Sequence, residues 1–242
     1  MTIKSIKVQL GVFLLLFSVY LVFLEKNAWI LSGLCISVIF AALADSVISY
    51  LKKKEFIVTE SSVITGLIVG FVLSGSEKWW LIALAALSAV VSKHVIRFNN
   101  RHFFNPAAFG VLIAVFLLGA STEWKGAYLW YIIAPFGIYV SFKIKKLELI
   151  AGYFIASLIL FGGQAVIQNV PMLNIFGYLN YFFIFIMLIE PMTTPMVMPG
   201  KIIFGAGAGV LIFILYVFGV REAELLALVC FNLFTPLLNR RK

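Results

Sequence analysis

Polar side chains are scarce in this chain, and they cluster. Residues 97–105 read RFNNRHFFN, directly before Pro106, and place two arginines, one histidine and three asparagines within nine positions. A second cluster, TESS at 59–62, brings Glu60 and is followed one turn on by Thr65. A third, EPMTTP at 190–195, carries Glu190, Thr193 and Thr194. Asn232 and Thr235 close the last apolar run, and Asp45 stands near the end of the second. Amides, hydroxyls and the free N–H groups of helix starts suit a neutral polar heterocycle or an anion. Local capping competes as an explanation for each residue alone. Asn105 before Pro106 is a good cap pair, and Ser61, Ser62 and Thr193 suit helix starts. Capping does not require Asn99, Asn100 and Asn105 together, nor an acid just before Pro191. A flavin ring asks for this mixture of donors and acceptors along its pyrimidine edge, with apolar packing on its faces, for which Phe98, Phe103 and Phe104 are close at hand.

The elements that must position these groups are membrane helices. Of 242 residues, 63% are hydrophobic and 12% charged, with a mean hydropathy of +1.08. A soluble domain of this size does not carry that much apolar surface. The apolar runs are continuous rather than alternating, which argues against a transmembrane barrel and for an all-α polytopic membrane protein. Ten segments are expected: 8–24, 28–50, 62–76, 79–96, 106–121, 127–142, 148–168, 174–189, 202–220 and 223–238. With these crossings, fifteen of the nineteen lysines and arginines fall on one side and only Lys26, Lys78, Lys125 and Arg221 on the other. That asymmetry places both termini in the cytoplasm and favours an even number of crossings. It also accounts for the net charge of +9 without nucleic acid. Cys35 and Cys230 each stand alone in an apolar run, so no disulfide framework, zinc site or complete iron–sulfur site is expected. The first apolar run is read as the first span rather than a cleaved signal.

Topology then gathers the clusters. Asp45, Glu60, Thr65, the 97–105 run, Glu190, Thr193 and Asn232 all fall at the cytoplasmic ends of their segments. Several segments are short: 62–76, at about 1.5 Å per residue, covers roughly 22 Å of a hydrocarbon core of about 30 Å. Short runs flanked by Gly, Pro and Thr fit helices broken around a central site, and equally fit tilted helices. A weak internal echo links SSVITGLIVGFVLS, with Gly66 and Gly70, to KIIFGAGAGVLIFIL, with Gly205, Gly207 and Gly209. Duplication and close packing of small residues both explain it.

Four motifs in order resemble one family. HFFNPAAFG at 102–110 is similar to the HxFNPAxxG segment of the D subunit of Rnf-type ion-translocating ferredoxin:NAD oxidoreductases, a relative of the B subunit of the sodium-translocating NADH:quinone reductase. EPMTTP resembles the family's Asp-Pro-x-Thr segment, with Glu190 in place of Asp. GKIIFGAGAGVL resembles its glycine-rich helix, SSVITGLIVGFVLS its SALLTGLLLGLxLP stretch, and NLFTPLLN at 232–239 its final Asn-x-x-x-Pro. The resemblance implies ten helices in one integral membrane domain with two related halves, taken here as 1–122 and 123–242, and a fold similar to urea and ammonium channels. It also implies membrane electron transfer. The family carries FMN linked to a threonine of a Ser-Gly-Ala-Thr-like motif on the outer side, and one branch adds non-covalent riboflavin near the inner side. None of the seven threonines here lies in such a motif, and Thr122 in GASTEWKG sits in a short loop. Covalent FMN is therefore not expected. The expectation is a non-covalent flavin, riboflavin or FMN, among Thr65, Asn99, Asn105, Glu190, Thr193 and Asn232, with Asp45 and Glu60 as an ion path. Electrons would come from a cytoplasmic flavoprotein or ferredoxin, since the chain has no dinucleotide fingerprint, and leave to a quinone or another subunit in the inner membrane. Two further readings stay open: a transporter or channel for a small polar solute such as riboflavin, and a scaffold within a larger complex.

Overall fold

Long apolar helices form where the sequence offers unbroken Leu, Ile, Val and Phe. In the computed structural model, which describes residues 3–98 and 101–239, Ile6–Glu25, Trp29–Lys53, Leu147–Ile167 and Met198–Val217 are long and apolar enough to cross a membrane. Their outward side chains are apolar too: Phe23, Ile167 and Phe218 are 87%, 82% and 78% exposed. Such surfaces face lipid rather than water, and the chain is an all-α polytopic membrane protein.

Two compact units follow one another, Met1–Gly126 and Ala127–Lys242. The first holds α1 (Ile3–Glu25), α2 (Trp29–Lys53), α3 (Glu60–Val72), α4 (Trp79–Val95), a hairpin of β1 (Arg97–Phe98) and β2 (Arg101–His102), and α5 (Pro106–Leu118). The second holds α6 (Trp130–Lys143), α7 (Leu147–Ile167), a 3-10 turn (Met172–Gly177), a π-helical turn (Phe183–Met187), α8 (Met198–Val217) and α9 (Ala223–Leu238).

Helix α3 is the buried centre of the first unit: from Ile64 to Val72 every side is covered. With 13 residues it reaches only about 20 Å, so its ends lie within the membrane's depth and their backbone groups need partners inside the protein. At its start Thr59 accepts from Ser62 N, and Ser62 Oγ returns a bond to Thr59 O at 2.7 Å. Thus Thr59 is the cap here, where Ser61 and Ser62 were expected. At its end the chain after α5 folds back. Glu123 N and Lys125 N donate to Val72 O and Phe71 O at 2.9 and 2.8 Å. The Lys125 ammonium donates to Gly70 O at 2.9 Å and also to Leu73 O. A buried lysine thus closes the C-terminal end of a helix, where its charge also suits the dipole.

Close packing explains the glycines of both echo stretches. A Cβ on Gly66 would lie 2.7 Å from Val38 Cα in α2, and one on Gly70 2.5 Å from Ser37 Oγ. Gly205 meets the Leu149 carbonyl of α7 in the same way. These are close approaches to the backbone or side chains of a neighbouring helix, available only where the glycine itself carries no side chain.

One expected span is not a continuous helix. The apolar run 174–189 begins as the 3-10 turn, breaks, and restarts at Asn180, whose Oδ1 accepts from Phe183 N at 3.0 Å. An asparagine inside an apolar run behaves here as an N-cap. The π turn that follows buries all five of its residues, and wide turns of this kind concentrate at functional sites.

Burial lowers the pKa of Lys125 below its usual 10.5, against the opposing pull of Glu123. Between the folded value and 10.5 the unfolded chain holds more protons than the folded one, so stability rises with pH across that window. Lys125→Met is expected to remove that rise, measured as the slope of unfolding free energy from mildly alkaline pH upward. An unchanged slope would contradict the burial of a charged lysine.

Candidate functional site

Each unit carries a polar cluster. In the first unit it centres on Asp45, fully buried in α2. Asp45 Oδ2 accepts from Thr59 N at 2.8 Å and Thr59 Oγ1 at 2.7 Å, while Oδ1 lies 2.9 Å from His94 Nε2. Lys52 Nζ stands 3.4 Å from His94 Nδ1. An ammonium can only donate, so Nδ1 is the acceptor and the ring proton sits on Nε2, donating to Asp45. One carboxylate therefore ties the ends of α2 and α4 to the cap of α3. Glu60, the other expected ion-path residue, is the first residue of α3 and exposed.

Thr65 and Asn105 are buried in the same unit. The Thr65 hydroxyl donates to Ser61 O, one turn back, at 2.7 Å. Asn105 caps α5, its Oδ1 accepting from Ala108 N at 3.0 Å, as its place before Pro106 predicts. Beside it, the β1–β2 hairpin pairs Arg97 with His102 and Phe98 with Arg101. Phe98, Phe103, Phe104 and Phe109 follow in ring contact with centroids 6.2, 5.1 and 5.6 Å apart. Asn99, and Asn100 with it, lies outside the described residues.

In the second unit the structure joins all three expected residues, Glu190, Thr193 and Asn232. The chain leaves the π turn and runs without regular structure to α8, so its carbonyls need partners. Asn232 Nδ2 and Thr235 Oγ1, both on α9, donate to Thr193 O at 3.1 and 2.7 Å. Lys146 Nζ donates to Thr194 O and Pro195 O at 3.2 and 2.5 Å. Asn239 Oδ1 accepts from Met196 N at 2.7 Å. Within the segment Thr193 Oγ1 donates to Glu190 Oε2 at 3.3 Å and Thr194 Oγ1 to Glu190 O at 2.6 Å. Thr193, Thr194, Lys146 and Asn232 are all buried. Irregular backbone at this depth persists only when enclosed by protein or lining a cavity.

Sequence reasoning missed several members. Lys146 and Lys201 were counted among loop cations, yet both are buried; Lys201 pairs with Glu148 at 3.2 Å. Asn239 was visible in principle, because it falls with Asn232 and Thr235, both noted at the end of the last apolar run, at i, i+3 and i+7 on one face of a helix. His94 and Thr59 have no such local signature, being brought to Asp45 by helix packing.

The second cluster's donor set fits the polar edge of a flavin. The cluster holds a carboxylate acceptor, an amide donor and hydroxyls that can do either, and Phe204 and Phe231 of the same unit lie in edge contact at 5.7 Å.

Short and long apolar helices, with irregular backbone held among them by buried polar side chains, define a polytopic helical membrane protein built around interrupted segments. More particularly, the chain belongs to the NQR2, RnfD, RnfE family, whose model matches residues 2–132 and again residues 131–242. Each match takes in five of the ten apolar segments, and membership makes the chain a membrane subunit of an Rnf- or Nqr-type assembly. No curated protein matches the sequence.

Proposed function

We propose that this chain is the membrane subunit of a flavin-dependent electron-transfer system. It holds a non-covalent flavin, riboflavin or FMN, near the cytoplasmic face and passes electrons to a membrane acceptor or a partner subunit. The observation that carries this reading is the carboxylate–hydroxyl–amide knot that half-buried Glu190 forms with buried Thr193 and Asn232, in a chain of this family. Structural need alone explains the bonds to carbonyls; it does not explain a half-buried glutamate carboxylate held among them, since an acid within a membrane bundle is costly and marks a functional site by default.

When bound, the flavin supplies electron uptake and release. Asn232 and Thr193 bind its polar edge, Glu190 accepts from its ring N–H, and Phe204 and Phe231 exclude water. Thr65 and Asn105 are the candidate ligands at the first unit's own polar end, together with Asn99. The electron donor is a cytoplasmic flavoprotein or ferredoxin, because the chain itself has no nicotinamide-binding fingerprint.

Glu190→Gln keeps an acceptor for Thr193 but removes the charge. It is expected to lower flavin retention about tenfold, or ~1.4 kcal/mol, read as flavin per protein after equilibrium dialysis. Retention equal to wild type would remove Glu190 from the site. In proteoliposomes, bleaching of the bound flavin by an added reductase without solute flux supports electron transfer. Riboflavin uptake without any reductant would instead make the chain a transporter.

A further inference from the structure

The first unit contains a cavity of about 550 Å³ at the opposite end of its helices from Asp45 and Asn105. Trp29, at the start of α2, and Trp79, at the start of α4, line it. So do Ser32, Glu77 and Glu123, and its floor is apolar, with Ile36 and Ile82. The cation count places this end outside.

Both glutamates are fixed from behind. Glu77 Oε1 accepts from Ser121 N at 2.7 Å and Ser121 Oγ at 2.5 Å. Glu123 Oε2 accepts from Gly75 N at 2.9 Å and Ser74 Oγ at 3.2 Å. The remaining oxygen of each takes no hydrogen bond among the described residues. Lys125 lies 3.7 Å from Glu123, whereas Glu77 pairs with no cation among the described residues. Glu77 is half-buried, held by neutral donors, and lines the cavity.

Size decides between ligand classes. A bare metal ion needs about the ~30 Å³ of one water molecule, whereas cavities for small organic molecules run from roughly 300 to 1,000 Å³. Indole faces beside an uncompensated carboxylate recognise organic cations, through the ring quadrupole and the ion pair together. We propose that this cavity binds the primary ammonium group of an organic molecule, with Glu77 as its counter-ion and Trp29 and Trp79 as its walls. The ammonium belongs either to a soluble amine or to an aminophospholipid headgroup; the flavin reading is neither needed nor affected.

The test is calorimetric titration of the full chain in phosphatidylcholine nanodiscs with phenethylammonium. One saturable site is expected, weakened about tenfold or more by Glu77→Gln. Ser32→Phe, which places a phenyl ring in the cavity and leaves both carboxylates in place, is expected to abolish binding. Thr193→Val leaves it unchanged, and Ser32→Phe leaves flavin retention unchanged, so the two sites fail separately. Nanodiscs containing phosphatidylethanolamine separate the sources: weakened phenethylammonium binding assigns the site to the lipid headgroup, and unchanged binding assigns it to a soluble amine. Absence of saturable binding, equal binding of neutral 2-phenylethanol, or full binding in Glu77→Gln would each overturn the proposal.

Discussion

Lys146→Met is expected to lower the unfolding free energy of the detergent-solubilised chain by about 2–5 kcal/mol. The side chain is fully buried, and its ammonium holds the carbonyls of Thr194 and Pro195. Each buried carbonyl left without a partner costs about 1–3 kcal/mol, and methionine restores volume but no donor. The lost charge adds little in return, since the ammonium is already satisfied by carbonyl dipoles. Lys145, its exposed neighbour, provides the control: Lys145→Met is expected to change stability by less than about 0.5 kcal/mol. Equal effects of the two substitutions in a denaturant titration would show that Lys146 does not hold the irregular segment. Because Thr193 and Glu190 ride on that segment, Lys146→Met is also expected to lose flavin.

Asp45→Leu is expected to cost about 2–4 kcal/mol and to loosen the start of α3. Three donors lose their acceptor together: the Thr59 N–H, the Thr59 hydroxyl and His94 Nε2. Two of them belong to the residue that caps α3, and a lost cap alone is worth about 1 kcal/mol. Water reaches His94, whose side chain is 19% exposed, so part of the penalty is recovered there. Asp45→Asn retains one acceptor oxygen and should fall between wild type and Asp45→Leu. Amide hydrogen exchange at Ser62 and Val63 reports the effect locally. Exchange as slow as wild type in Asp45→Leu would show that Asp45 does not secure the cap.

Helix content was readable because apolar runs long enough to cross a membrane have few alternatives. Short segments were harder. The run 174–189 gave no sign of its break beyond Asn180, since a single amide in an apolar stretch reads as noise until its side chain is seen to cap Phe183. The second polar cluster was largely legible: Glu190, Thr193 and Asn232 were grouped from topology, and the structure joins them within one unit. Its supports were not. Lys146 looks like any loop cation, and only the fold shows it buried beneath carbonyls 48 and 49 residues away. The same holds for Lys125, which was counted as an outer charge yet closes the end of α3. Asp45 was noticed as an acid near a helix end, but its partners Thr59 and His94, 14 and 49 residues distant, come from helix packing that no local pattern encodes. The outer cavity escaped notice altogether, because Glu77, Glu123, Trp29 and Trp79 read singly as ordinary residues of the membrane interface.

The central claim is that this chain binds a flavin without a covalent bond. Its most direct test is the visible absorbance spectrum of the full chain, purified in detergent with riboflavin and FMN supplied, followed by acid precipitation and mass spectrometry of protein and supernatant. The expected result is the two-band spectrum of oxidised flavin, bleached by dithionite, with all flavin in the supernatant and an unmodified protein mass. A colourless protein would contradict flavin binding, and a protein mass increased by one FMN would contradict the non-covalent mode.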